Sequence, residues 1–309
     1  MSRSAEPAAH AGGDRFLCIC ADDFGMSEGI NAAVLDLVVR GAICAASCMV
    51  LRGAWASGAA EARQVDPAVA DLGLHLELNR PPSDSPSEPA LSGLIAAGYL
   101  GLLRPGAVRA QIREQLARFE DAMGRPPAFV DGHRHVHQLP VVREALVEEL
   151  AVRYGIAAPW LRNTAPAAPR LFPRTKADVI FALGGRRLRA LAAERGIATS
   201  RALLGVYGFD GGAEAYRHRL QQWIATCRSG DVLLCHPSLG DAAPVPHDAA
   251  RRHEYAVLRT LAFPAETDAG RVLLRPFSRQ PSVDSARSMN AISTGNRQRL
   301  RTDRLEDAG

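Results

Sequence analysis

Two adjacent acids, Asp22 and Asp23, close the apolar run Phe16-Leu17-Cys18-Ile19-Cys20-Ala21. A run of that kind is the pattern of a strand buried on both faces in a parallel sheet. Two carboxylates at its mouth are costly unless something pairs with them. A metal ion is the usual partner, with one Asp as ligand and the other free to handle protons. Gly73-Leu74-His75-Leu76 and Asp131-Gly132-His133-Arg134-His135-Val136-His137 carry the histidines such a centre needs.

Asp23, His75 and His133 supply one carboxylate and two imidazoles, a set that leaves positions open for water and substrate. Taken alone, His75 between Leu74 and Leu76 reads as a core histidine; beside the acid pair it reads as a ligand. In an extended segment Asp131, His133, His135 and His137 share one side. His135 and His137 lie beyond the expected strand end and are candidates to line the substrate site. His236 stands between Asp231-Val232-Leu233-Leu234-Cys235 and Pro237. There it is expected to be well fixed, with a pKa in the working range of a general acid. Arg162, after Trp160-Leu161, is expected to orient an acid or hold substrate, with a surface ion pair as the alternative.

These residues need strand ends to carry them. Apolar runs are expected as strands over Phe16–Ala21, Ile43–Val50, Leu72–Leu78, Ala128–Gly132, Trp160–Arg162, Ala202–Tyr207, Val232–Cys235 and Val272–Leu274. Helical patterns fall between them: Glu28–Arg40, Ala54–Gln64, Val108–Met123, Val141–Tyr154, Lys176–Arg195, Ala213–Cys227 and Ala249–Ala262. Such alternation means right-handed βαβ units. About eight repeats suit an α/β fold of the TIM-barrel-like (β/α) type, distorted or with seven strands included, in which working residues sit at C-terminal strand ends. No Gly-x-Gly-x-x-Gly supports a dinucleotide-binding fold. The barrel is expected to span 15–277 as a single domain, between a flexible N-terminus (1–14) and a disordered, Arg-rich tail (278–309). Arg80–Pro105, rich in Pro, Ser and Gly, reads as a long loop over one end of the barrel and a candidate substrate lid.

The composition, 47% hydrophobic and 23% charged, is that of a globular protein. The net charge is +4, and about half of it lies after Ser278. Without a basic stripe or interleaved aromatics, nucleic acid is not an expected partner. No apolar stretch reaches membrane-spanning length and no secretory h-region opens the chain, so a cytoplasmic location is expected. None of the six cysteines forms a Cys-x-x-Cys pair, and they read as small buried hydrophobes.

Ala21-Asp22-Asp23-Phe24-Gly25, Gly73-Leu74-His75-Leu76, Asp131-Gly132-His133-Arg134-His135-Val136-His137 and Cys235-His236-Pro237, taken in order, resemble the successive motifs of the YdjC-like carbohydrate deacetylases, the ChbG/HpnK group. The resemblance runs from Phe16 to Phe277. It implies a TIM-barrel-like fold and hydrolysis of acetyl groups from an N-acetylated sugar or glycoconjugate. It also implies one divalent metal, zinc or magnesium, on Asp23, His75 and His133, with Asp22 as base and His236 as general acid. Chitooligosaccharide, a glycolipid headgroup and a cell-envelope precursor all fit as substrate, and a homodimer is compatible. Two departures, Cys20 before Ala21 and Ser238 after Pro237, bear on the pocket and leave the ligand positions intact. The alternatives are another metal-dependent amide or ester hydrolase, a non-catalytic metal-dependent sugar binder, and a non-haem iron oxygenase using the same ligand types.

Overall fold

The computed structural model describes residues 13–78, 91–168, 175–242 and 245–281. Its organising element is β1 (Arg15–Phe24), whose last eight residues are all buried. Parallel strands flank it: β2 (Ala45–Cys48), β3 (Asp71–Leu76), β4 (Phe129–Gly132), β5 (Trp160–Leu161), β6 (Leu203–Leu204) and β7 (Asp231–Cys235). They run in the order β5-β4-β3-β2-β1-β7-β6. Beyond β5 the sheet curls towards β6. Leu161 bridges Thr199 in parallel, and Leu203 N–H donates to the Ala165 carbonyl. The result is the expected α/β barrel-like sheet in its seven-stranded, distorted form. A hairpin, β8 (Ala265–Thr267) and β9 (Gly270–Leu274), is added through β9, which lies parallel to the start of β1. β8 is too short and mixed to show a strand pattern in sequence.

The helices are α1 (Glu28–Val39), α2 (Trp55–Ala62), α3 (Leu91–Tyr99), α4 (Pro105–Met123), α5 (Val142–Tyr154), α6 (Lys176–Ile180), α7 (Arg186–Glu194), α8 (Gly212–Thr226) and α9 (Asp248–Leu258). α1 begins where Ser27 Oγ accepts from the Ile30 N–H. It buries Ile30, Ala33, Val34, Leu37 and Val38, the apolar stripe of a 3.6-residue period. Two expectations are corrected. Lys176–Arg195 is interrupted at Phe181–Gly185, where Gly184 adopts φ +142° and opens a wider turn. Within the expected Arg80–Pro105 loop, residues 80–90 lie outside the described residues, but Leu91–Tyr99 is helical and buries Leu94 and Gly98. Glycines at 93 and 98 mask that helix in the sequence. The expected terminal segments, 1–14 and 278–309, fall almost wholly outside the described residues.

Alternation along β1 divides the core in two. Leu17, Ile19 and Ala21 join the large apolar layer between sheet and helices. Cys18 and Cys20 face the barrel interior with Cys44, Phe129, Trp160, Leu203, Val232 and Leu234. There Phe129 stacks on Trp160 with ring centroids 4.4 Å apart. All six cysteines are free and buried, and at 18, 20 and 44 small thiols suit so narrow an interior. Among the described residues no helix is long and apolar enough to cross a membrane.

Candidate active site

Side chains of adjacent strand residues point to opposite faces, so Asp22 and Asp23 could not share a site in a regular β1. The strand solves this with a register shift against β2 between Ala21 and Phe24. Asp23 itself takes φ +70°, a conformation that costs a non-glycine residue energy and concentrates at working sites. Both carboxylates then line one cavity of about 350 Å³ at the C-terminal ends of the strands. Its floor also holds His75, His133 and His236, and its wall includes Leu91, Ile95, Leu183 and Phe209.

His75 and Asp131 are paired across β3 and β4. Asp131 Oδ1 lies 2.7 Å from His75 Nδ1, and Ser47 Oγ of β2 is 2.9 Å from the same nitrogen and donates to the same carboxylate oxygen. This fixes the imidazole with Nε2 turned to Asp23 Oδ1, 3.4 Å away. His133 Nδ1 reaches that same oxygen at 3.2 Å. Burial alone would lower the His75 pKa, but Asp131, Asp22 and Asp23 outweigh it and raise it to about 10. Burial would likewise raise Asp23, yet Arg251, His133 and His75 hold its carboxyl well below the usual range. Arg251 Nη2 occupies Asp23 Oδ2 and leaves Oδ1 to the histidines.

Asp23, His75 and His133 each offer one ligand atom, all within 4.8 Å of one another. One carboxylate with two imidazoles, one of them braced from behind by a carboxylate, is a donor set that fits a divalent transition ion. A second set, Asp22, His75 and Asp131, is equally compact. Its two carboxylates are already matched by Arg162, which makes it the poorer cation site.

Arg162 is fully buried and does not line the cavity. Its guanidinium grips Asp22 at both oxygens, Nη1 to Oδ2 at 2.7 Å and Nη2 to Oδ1 at 2.6 Å, and pairs with Asp131 Oδ2 at 2.6 Å. Of the roles expected for it, holding an acid matches this placement; direct contact with substrate does not. Burial would raise the Asp131 carboxyl, but Arg162 and His75 keep it well below the usual range.

The histidine cluster departs from expectation. His133–Gln138 forms a tight 3-10 turn, with Arg134 and His135 at φ +53° and +61°, rather than an extended segment. The turn splits the set: His133 faces Asp23, His135 lines the cavity, and His137 is buried beneath. There His137 Nε2–H donates to the Arg162 carbonyl at 2.9 Å, so it braces Arg162 instead of meeting substrate. Burial lowers the His137 pKa from 6.5 to about 4. Between those values the unfolded chain holds a proton that the folded one refuses, so stability falls as pH falls through that window. The loss reaches about 2 kcal/mol at pH 4.5. In His137→Gln, which keeps a donor for the Arg162 carbonyl, the difference in unfolding free energy between pH 7 and 4.5 should shrink by that amount. An unchanged difference in urea unfolding contradicts this reading.

His236 leaves β7 into the cavity, with the edge of Phe209 against it at 5.0 Å between ring centroids. Its pKa is not in the neutral range expected from sequence. Burial lowers it to about 4, only partly offset by Asp23 and Asp22. Behind it lies Glu254 of α9, fully buried, whose Oε2 accepts the His236 backbone N–H at 2.6 Å and whose Oε1 accepts the Tyr207 hydroxyl at 2.6 Å. Burial raises Glu254 to about 7. Sequence reasoning missed Ser47, Arg251 and Glu254. Arg251 and Glu254 sit three apart on an ordinary amphipathic helix, and no local pattern marks them.

The fold and the site together define a barrel-like α/β protein whose strand ends gather an acid pair and histidines around one cavity. The sequence pattern of the YdjC-like protein family matches residues 16–268, and the chain belongs to that family. It is 28% identical over 236 residues to a chitooligosaccharide deacetylase of Serratia marcescens, covering 74% of this chain and 84% of the relative. It is 33% identical over 171 residues to a carbohydrate deacetylase of Geobacillus stearothermophilus, covering 54% of this chain and 66% of the relative. With a chitooligosaccharide deacetylase of Enterobacter sp. (strain 638) it is 30% identical over 154 residues, 47% of this chain and 58% of the relative. The last two alignments thus span less than two thirds of those relatives. A solved structure from Enterococcus faecalis V583 shares the fold, with a TM-score of 0.58 and 19% identity over 80% of this chain and 92% of its own.

Proposed function

We propose that this chain is a metal-dependent carbohydrate N-deacetylase, hydrolysing the acetamide of an N-acetylated sugar to acetate and a free amine. The observation that carries the reading is the convergence of Asp22, Asp23, His75, His133 and His236 on one cavity. Family membership and relatives named as carbohydrate deacetylases support it.

When bound at Asp23, His75 and His133, a divalent ion supplies Lewis-acid polarisation of the acetamide carbonyl. Asp22 is the base. Oδ1 accepts from Arg162 and from Cys20 Sγ, while Oδ2 accepts one bond from Arg162 and keeps a further lone pair, so the carboxylate is aimed without being blocked. It takes a proton from the water that attacks the carbonyl carbon. The C–N bond then breaks, and the leaving nitrogen needs one proton. His236 delivers it. The imidazole is neutral at pH 7 in the resting site; as negative charge builds on the reacting amide beside it, it takes up a proton from solvent and passes it to the nitrogen, and the proton held by Asp22 returns to solvent when acetate leaves. The leaving amine needs that proton before it departs, so His236 acts on turnover more than on binding.

Acetate release decides the matter. The protein is stripped of metal, reloaded with Zn²⁺, Mg²⁺, Mn²⁺ or Co²⁺, and given a panel of N-acetylglucosamine-containing substrates. Release that disappears on stripping and returns on reloading is expected. Metal binding with no release from any substrate defeats the proposal and favours a sugar-binding protein.

A further inference from the structure

α9 lies outside every motif that pointed to the site, yet it holds two of the site's parts. At Arg251 the helix reaches Asp23 Oδ2. One turn later, Glu254 reaches the backbone of His236 and the hydroxyl of Tyr207. The connection between β7 and α9 hangs on the same helix, because the Ser238 N–H donates to the Arg251 carbonyl and Arg251 Nε donates to the Pro246 carbonyl at 2.8 Å.

His236 is the first residue beyond β7, where the ladder with β1 has ended at Cys235. Its N–H therefore has no strand partner and is met by Glu254. Tyr207 stands in the equivalent region after β6, and its side chain also lines the cavity. One carboxylate thus ties together the exits of two neighbouring strands. Its two equivalent oxygens, each on a different cavity residue, set the spacing between them.

We propose that Glu254 is the positioning residue for His236, and that α9, through Glu254 and Arg251, holds His236 in register with Asp23. The inference rests on the role given to His236 above. Glu254 touches neither substrate nor the reacting atoms. It acts by fixing the backbone from which the imidazole projects.

The test uses the metal-loaded full chain with Glu254→Ala and Glu254→Gln. Without an acceptor, the His236 N–H is left unpaired and the exit of β7 shifts. A displacement near 1 Å costs roughly 100-fold in rate. Glu254→Ala should therefore lose about that factor in kcat, with KM within about threefold and metal content unchanged. The glutamine amide oxygen still accepts the His236 N–H, so Glu254→Gln should stay within about fivefold of wild type. Ring ¹H–¹⁵N signals of His236, assigned with His236→Gln, should shift or broaden in Glu254→Ala and stay in place in Glu254→Gln.

An alanine variant with wild-type kcat and unmoved His236 signals overturns the proposal. So does a glutamine variant that folds yet loses as much turnover as alanine, because the charge would then matter and the placement would not. If the alanine variant does not fold, the glutamine variant decides alone: near-wild-type turnover with His236 signals in place supports the proposal. A wild type that releases no acetate defeats the deacetylase reading, and the His236 spectra still judge Glu254 independently.

Discussion

Asp22→Asn should bind metal as the wild type does and release acetate about 10³-fold more slowly, the usual scale for a lost general base. The amide keeps the volume and can still accept one bond from Arg162, but it cannot take a proton. Asp23→Ala should fail differently, losing both bound metal and turnover. The two adjacent acids are separated in role by what holds them. Asp22 is gripped at both oxygens by Arg162, whereas Asp23 gives one oxygen to Arg251 and turns the other to His75 and His133. Metal content by mass spectrometry under native conditions, read beside kcat, separates the cases. Near-normal turnover in Asp22→Asn removes Asp22 from the role of base. Unchanged metal content in Asp23→Ala removes Asp23 from the ligand set.

The second large effect is expected at Arg162. Its guanidinium is the shared counter-charge of Asp22 and Asp131, and all three groups are buried. Arg162→Met leaves two carboxylates in the interior without their cation. Breaking a buried pair from one side costs about 3–5 kcal/mol, so a large drop in unfolding free energy is expected, with activity lost as well. Arg162→Lys separates charge from geometry. The ammonium restores a positive charge but cannot grip Asp22 at both oxygens while also meeting Asp131. It should recover much of the stability and still fall about 100-fold in kcat, because Asp22 is no longer aimed. Equal stability of Arg162→Met and wild type in urea titration would mean that the charges are compensated elsewhere. Wild-type kcat in Arg162→Lys would mean that the bidentate grip has no part in turnover.

Much of this was readable before any coordinates. The apolar run into Asp22-Asp23, the His75 segment and the Asp131–His137 segment announce a metal-ligand chemistry at strand ends. The alternation of runs and helical patterns announces a barrel. These signals are local: an apolar run and a helical stripe each report their own burial, and a motif carries its residues within a few positions. Sequence fails where the effect depends on a partner far along the chain. Arg162 could orient an acid, hold substrate or sit in a surface ion pair as far as the sequence goes; only the fold, across a separation of 140 residues, brings it beneath Asp22 and picks the first. His137 reads as a residue that lines the substrate site until two left-handed residues turn it inward under Arg162.

Residue identity along this chain therefore determined the reaction chemistry available to it and the class of scaffold that would carry it. Tertiary structure alone decided which acid faces the two histidines and which faces Arg162, because that depends on a register shift and a positive φ at Asp23. It also decided which way the basicity of each histidine moves. His75 and His236 have the same intrinsic basicity, but one lies between carboxylates and the other, half-buried at the cavity, is desolvated more than Asp23 and Asp22 offset. Burial and charge proximity are properties of the folded chain as a whole, and no local pattern in the sequence encodes them.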